Sequence, residues 1–284
     1  MSESRSPVDP SDEAFARFVQ AHRRLFVLTG AGISTASGIP DYRDRDGGWK
    51  RSPPITLQAF VGDALARSRY WARSLVGWRR FGIARPNAAH RALAALEREG
   101  RIALLVTQNV DGLHQAAGHD AVVDLHGRLD RVRCLGCERR RPRAEFQHEL
   151  ERRNPDWLAL DALDAPDGDA DLEGLAFEQF VVPGCDDCGG LLKPDVVFFG
   201  ENVPRERVER ATRALAEADA MLVVGSSLMV YSGYRFARAA ALAGKPIAAL
   251  NLGRTRADDL LALKIEADAA AALSWLVGQE PLNA

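Results

Sequence analysis

The residues best suited to chemistry are four cysteines, Cys134, Cys137, Cys185 and Cys188, which are all the cysteines the chain has. They form two C-x-x-C pairs with 47 residues between them. Each C-x-x-C turn lets two thiolates converge on one ion, and two turns complete the tetrahedral shell that Zn²⁺ prefers. Four soft ligands with no fifth make a closed, structural site rather than a catalytic one. A disulfide pairing would need an oxidising compartment, and the sequence offers no targeting signal for one. A redox C-x-x-C would account for one pair but not both. Gly136 and Gly189 fit tight turns beside the thiols.

A second set of candidates is polar. Residues 107–114 read TQNVDGLH, so Gln108, Asn109 and Asp111 follow an apolar run and should project from its end. Residues 124–127 read DLHG and place His126 after another apolar run. A histidine there can act as a base near neutral pH. The plainer alternative is a satisfied polar residue at a strand end. That alternative is assigned to His22, His90, His114, His119 and His148. His126 stands apart because other polar loops converge near it.

The third candidate is a glycine-rich turn. Residues 30–43 read GAGISTASGIPDYR. Glycines there allow close approach to a phosphate, with helix N–H groups pointing at the anion. Gly38 comes too late for the usual G-x-G-x-x-G, and no acidic residue closes a second strand about 20 residues on. Alone, the turn does not separate a dinucleotide site from a structural one. Residues 222–233, LVVGSSLMVYSG, repeat the logic at another strand end, and Asn251-Leu252-Gly253 makes a third. Three polar loops at sheet ends point to one crevice, where open α/β sheets bind ligands.

Elements must position these groups. Short apolar runs at 25–29, 102–107, 122–125, 196–199, 221–224 and 247–250 read as buried strands. Helical patterns lie at 12–24, with Ser11 as its cap, and at 56–82, 87–99, 204–218, 233–243 and 269–277. Residues 44–55 read as a loop. Alternating strands and helices imply a parallel α/β sheet. Between Cys134 and Cys188 the character changes: 129–134 alternates like a half-exposed strand, and 154–171 is acidic with Pro155, Pro166 and Gly168. This region reads as a small separate module.

The chain has 284 residues, 46% hydrophobic and 27% charged, with 37 basic and 39 acidic residues for a net charge of −2. That is ordinary globular composition, without the basic surface of a nucleic-acid binder. No stretch of 18 apolar residues exists, so no membrane span is expected, and the acid-bearing N-terminus fits neither a secretory signal nor a mitochondrial presequence. A cytoplasmic location is the expectation.

Together these motifs resemble the sirtuins, the NAD-dependent protein-lysine deacylases. The likeness rests on GAGISTASGIPDYR, TQNVDGLH, DLHG, the two C-x-x-C pairs, KPDVVFFGE (193–201), GSSL (225–228) and NLG, and runs from about residue 12 to 277. It implies a discontinuous Rossmann-like NAD-binding domain, 12–126 and 196–284, with a helical module about 44–85. It also implies an inserted zinc-binding module at 127–195, one structural zinc, and a tail at 1–11 that reads as disordered. NAD and an acyl-lysine peptide would meet in the crevice. The expected partners are acylated-lysine proteins, not nucleic acid or membrane, and the chain is expected to be a monomer.

Residue by residue, the resemblance implies that Gly30, Ala31, Gly32 and Ser34 meet the phosphates and ribose. Ile39, Pro40, Asp41, Tyr42 and Arg43 would form the mobile cofactor loop over the nicotinamide end. Tyr42 stands where the family more often has Phe. Gln108 and Asn109, with Val110 beside them, would contact ribose, and Asp111 the nicotinamide carboxamide. His126 is the implied catalytic histidine, with Asn109 beside it. Gly225, Ser226 and Ser227, with Asn251, Leu252 and Gly253, would take the adenosine side. Ala269 could contact the adenine only through its backbone. Val197 and Phe198 would line the acyl-lysine tunnel, while Gly200-Glu201 and Val230-Tyr231 would be strands clamping the peptide.

The implied reaction has the acyl oxygen attack C1′ of the nicotinamide ribose and expel nicotinamide. His126 then takes a proton from the ribose hydroxyls, and water finally releases O-acyl-ADP-ribose and free lysine. The same cofactor cleavage would serve a mono-ADP-ribosyltransferase, and a low-turnover NAD sensor is a third alternative. The chain looks most like the class II branch, which includes the mitochondrial lipoamidase-type sirtuin, through residues 69–78, 166–169 and 230–237. Tyr70 and Arg73 also share the Tyr-x-x-Arg spelling of the acidic-acyl branch, whose Tyr and Arg hold a carboxylate. Alternatively they form one packed helix face. The insertion 154–183 could reach the acyl channel or remain a surface loop.

Overall fold

The computed structural model describes residues 10–51, 54–160, 164–165, 169–170, 172 and 174–278. Most of the expected tail, and residues 166–168 of the segment 166–169 that carries part of the class II likeness, lie outside these. The elements run α1 (Pro10–Ala21), β1 (Leu25–Thr29), α2 (Leu57–Gly62), α3 (Ala64–Phe81), α4 (Ala88–Arg98), β2 (Ile102–Thr107), α5 (Leu113–Ala116), β3 (Val122–Asp124), β4 (Gly127–Cys134), β5 (Arg140–Pro142) and α6 (Arg143–Arg153). They continue β6 (Asp164–Ala165), β7 (Asp169–Ala170), β8 (Leu192–Val196), α7 (Arg205–Glu217), β9 (Ala220–Val224), α8 (Tyr231–Leu242), β10 (Ile247–Leu250), β11 (Leu263–Ile265) and α9 (Ala269–Gly278).

Six strands form one parallel sheet in the order β11-β10-β9-β1-β2-β3. Every residue of β1, β9 and β10 is buried. Such runs are apolar throughout because helices cover both faces. Phe15, Leu93 and Leu273 lie in the core on one face, and Leu215 and Phe236 in the core on the other. The chain reverses direction across the sheet between β1 and β9, the switch point where a doubly wound fold opens its ligand crevice.

A second sheet, β5-β4-β8, is antiparallel and carries the cysteines. β4 buries Gly127, Leu129, Val132 and Cys134, an alternation interrupted where its register on β8 shifts. A third core joins this module to α2 and α3 through Phe60, Trp71, Phe146 and Phe198.

The helical stretch at 56–82 is two helices. Thr56 caps α2 by accepting from the Ala59 N–H, and Asp63 caps α3 by accepting from the Leu65 N–H. Pro10 and Ser11 open α1 rather than precede it, because proline is tolerated in a first turn whose N–H groups are unpaired anyway. The strand expected at 196–199 lies earlier, at β8. Its register on β4 shifts between Arg128 and Val132, and Pro194 faces Val132. Val197 still donates its N–H to the His126 carbonyl at 2.7 Å, but Phe198 has already left the ladder.

Candidate functional site

The crevice is assembled from strand ends. Gly30 donates its N–H to the Val224 carbonyl at 3.1 Å, and Gly32 donates to the Gly225 carbonyl at 2.9 Å. A Cβ on Gly30 would stand 2.8 Å from the Ser226 Cβ, and one on Gly32 2.9 Å from the Gly225 Cα. Glycine is therefore required for the β1 and β9 loops to touch. No α-helix follows β1 directly: two 3₁₀ turns, Ala31–Ile33 and Thr35–Ser37, replace the expected helix N-terminus. Gly38 ends them in a left-handed conformation, φ 85°, and Pro40 lacks an N–H to continue them. Asn87 supports this turn from behind. Its Oδ1 caps α4 by accepting from Ala89, while its Nδ2 donates to the Ile33 carbonyl at 2.7 Å and the Ser37 hydroxyl at 3.0 Å.

Polar side chains then interlock above the glycines. Asn109 donates through Nδ2 to the Gly30 carbonyl at 3.1 Å and to the Ser34 hydroxyl at 3.0 Å. Ser34 donates to Asp111 Oδ2 at 2.7 Å, and the other Asp111 oxygen accepts from the Leu113 N–H. Burial raises the Asp111 pKa, and those two hydrogen bonds oppose it. Ser226 donates to Gln108 Oε1 at 2.6 Å. Gly233 lies against that amide, since a Cβ there would stand 2.7 Å from Gln108 Nε2. Val110 is buried and gives its carbonyl to the Leu129 N–H, so it anchors the loop to β4.

His126 sits at the end of this network. Its Nδ1 lies 3.0 Å from the Gln108 carbonyl, and its Nε2 lies 2.8 Å from the Ser232 hydroxyl. A carbonyl only accepts, so Nδ1 carries the proton and Nε2 keeps a lone pair that accepts from Ser232. Burial first, with Arg207 adding repulsion, lowers its pKa to about 4. The ring is neutral at physiological pH, poised to receive a proton rather than give one. Ser232 was not anticipated, because a serine in the first turn of α8 has no spacing signature.

Other anticipated residues lie around this centre. Ile39 is buried beneath the turn. Asp41 is ion-paired with Lys50. Arg43 stacks 3.8 Å from the Trp49 ring and donates to the Gly47 carbonyl, and Tyr42 meets Trp49 edge-on. The 41–50 loop is thus folded on itself. Asn251 caps the end of β10, donating to the Leu252 and Gly253 carbonyls at 3.2 Å. Ser227 accepts the Arg256 N–H through its carbonyl, and Ala269 opens α9 against the core.

The segments expected to clamp the peptide are not strands in this structure. Phe199 makes one isolated bridge with Thr56, Gly200 turns with φ 77°, Val230 is extended, and Tyr231 already begins α8. A strand requires a partner ladder, and none is paired to these residues among those described. The Glu201 carboxylate turns inward, accepting from fully buried Lys193 at 2.9 Å and from the Phe198 N–H at 3.0 Å. Tyr70 packs edge-on to Phe198 and Phe60, at 5.3 and 5.5 Å. Arg73 holds Asp169 of the insertion, with Nε 2.9 Å from Oδ1 and Nη2 2.8 Å from Oδ2.

All four cysteine Sγ atoms lie within 4.8 Å of one another. Cys134 and Cys188 are 3.4 Å apart, and Cys137 and Cys185 are 3.7 Å apart. These are not bonded sulfurs. They match the edges of a tetrahedron about a metal with ~2.3 Å bonds. Backbone N–H groups of Gly136 and Cys137 point at the Cys134 sulfur, which favours a thiolate. A Cβ on Gly190 would stand 2.9 Å from that sulfur, so glycine lets the two turns close. The donor set fits zinc.

An open parallel sheet with a polar cluster at its switch point and four thiols gathered beside it defines a doubly wound α/β protein carrying a metal-type cysteine cluster. The Sir2 family model matches residues 30–232, and the chain belongs to that family. It is 70% identical over 268 residues to a protein of Xanthomonas campestris pv. campestris (strain 8004) named NAD-dependent protein deacetylase, covering 94% of this chain and 91% of that one. A solved structure described as "Structural Basis for the Mechanism and Regulation of Sir2 Enzymes" superposes with a TM-score of 0.75 at 31% identity, covering 95% of this chain and 97% of that one. Another, "Sir2 bound to acetylated peptide", gives 0.71 at 30% identity, covering 93% and 96%. Among the described residues, no helix is long and apolar enough to cross a membrane.

Proposed function

We propose that this chain is an NAD-dependent protein-lysine deacylase whose catalytic base is His126. The observation that carries the reading is the hydrogen bonding of that ring. With Nδ1–H fixed on the Gln108 carbonyl, Nε2 is a lone pair held at the crevice, and the Ser232 hydroxyl lies where a substrate hydroxyl would present its proton. General-base help of this kind is worth about 10²–10⁴-fold.

When bound, NAD supplies the glycosidic bond to nicotinamide whose cleavage activates the ribose. Uncharged Gly30, Ala31, Gly32 and Ser34 put no anion against its phosphates. Asp111, oriented by Ser34 and Leu113, offers an acceptor for an amide N–H. Asn109 and Gln108 hold the inner end of the crevice in place through Gly30, Ser34 and Ser226. The adenosine side falls to Gly225, Ser226, Ser227 and Asn251, with Ala269 contributing backbone. Tyr42 and Arg43 cover the nicotinamide end, while Val197 and Phe198 line the acyl tunnel.

Cys134, Cys137, Cys185 and Cys188 would hold one zinc ion in a closed shell that takes no part in the chemistry. The reading divides the chain into a cofactor domain, 12–126 and 196–284, and an inserted module, 127–195. A catalytic network complete within one chain supports a monomer. Four thiols at metal spacing suit a reducing, cytoplasmic compartment. Acylated-lysine proteins are the substrates.

The test is a panel of acyl-lysine peptides incubated with NAD and read by mass spectrometry. Equal amounts of nicotinamide, O-acyl-ADP-ribose and free lysine are expected. Peptide that gains ADP-ribose while keeping its acyl group would overturn the reading.

A further inference from the structure

Among its contacts with α3, the insertion sets Asp169 against Arg73. Arg73 lies one turn beyond Tyr70 on α3, and Tyr70 touches Phe198, the residue placed above in the acyl tunnel. A guanidinium in this position matches a carboxylate with two parallel N–H donors. Here the chain supplies that carboxylate itself. Asp169 takes both donors, at 2.9 and 2.8 Å, and Arg73 Nε also donates to the Ala170 carbonyl at 2.8 Å. The backbone locks the acid in place, since the Ala170 N–H donates to Asp169 Oδ1 at 2.9 Å. The pair is about two-thirds covered, with side-chain exposures of 29% and 35%. A guest carboxylate would have to displace one already chelated and would then sit beside its negative charge. Burial, reinforced by Asp169, raises the Tyr70 pKa, so its hydroxyl stays neutral.

We propose that Asp169 is a specificity-determining residue: its carboxylate fills the Arg73 fork beside the Tyr70–Phe198 contact. The channel then takes lysines bearing uncharged acyl groups and turns away acyl groups that end in a carboxylate. This rests on the deacylase reading above.

The experiment compares wild type, Asp169→Asn, Asp169→Ala and Asp169→Ala/Arg73→Met. Each is given NAD and either acetyl-lysine or succinyl-lysine peptide, and nicotinamide release is followed. The quantity read is the succinyl-to-acetyl ratio of kcat/KM within each variant, so partial misfolding cancels. Wild type should favour acetyl. Both single variants should raise the ratio about tenfold or more, the worth of one freed charge-assisted contact, and adding Arg73→Met should remove the gain. An unchanged ratio in both single variants, or a wild type that prefers succinyl, would overturn the proposal. A wild type that releases no nicotinamide with any peptide would instead overturn the deacylase reading, and this one with it.

Discussion

The two sheets of this molecule reach order by different routes. β1, β9 and β10 are buried along their whole length, and helices covering both faces supply the stabilising apolar area. β4 buries only Gly127, Leu129, Val132 and Cys134, β5 is three residues long, and arginines ion-paired to Asp195, Asp186 and Glu149 fringe the module. Its ordering falls to four sulfurs at one end and an aromatic core at the other. The parallel sheet thus rests on apolar packing over both faces, whereas the smaller sheet joins a modest aromatic core to four clustered thiols.

The sharpest way to break that comparison is Cys134→Ser. A structural four-thiolate zinc site contributes about 10–16 kcal/mol, so the variant should lose roughly one zinc per chain and unfold the module while far-UV helicity largely persists. Metal-free protein with intact near-UV dichroism would show that the module stands on packing after all.

His126→Ala probes the other region. Turnover should fall about 10²–10⁴-fold, with NAD affinity by calorimetry little changed. In wild type the neutral ring is the active form, and it is lost as pH falls through the folded pKa. The acid limb of kcat/KM should therefore lie near 4 rather than 6.5. Circular dichroism must accompany this profile. His90 and His114 are also lowered by burial, so the unfolded chain binds protons between 6.5 and about 4 that the fold refuses, and stability falls as pH drops through that window. A limb near 6.5 in protein that remains folded would contradict the buried, proton-accepting geometry.

Asn87→Ala should have the smallest effect. Losing the α4 cap costs about 1 kcal/mol, seen as a modest drop in Tm. Because the same amide holds Ile33 and Ser37, KM for NAD should rise while kcat holds. Equal loss in both parameters would show that the glycine turn stands without its brace.

The same contrast explains what the sequence reveals. The edges of β1, β2 and β10 are legible to the residue, because a strand buried on both faces is written as an unbroken apolar run. The cysteine spacing is equally direct. β8 is not, since Lys193, Pro194 and Asp195 look nothing like a strand, and Lys193 is buried only because Glu201 and the Val196 carbonyl receive its charge. Ser232 is hidden for a related reason: it meets His126 across 106 positions, and no local pattern records that pairing. The Tyr70–Arg73 spelling is visible, but Asp169, the carboxylate that Arg73 holds, lies 96 positions away.

His126 lies in the turn between β3 of the parallel sheet and β4 of the antiparallel one. Its ring faces Ser232, while its carbonyl receives the Val197 N–H that continues the β4–β8 ladder. A chain emerging from the ribosome makes this histidine early and waits about seventy residues for Val197 and 106 for Ser232. Of the three contacts, only the Gln108 carbonyl on Nδ1 comes from earlier in the chain. The site described here is therefore complete only in a chain extended at least as far as Ser232.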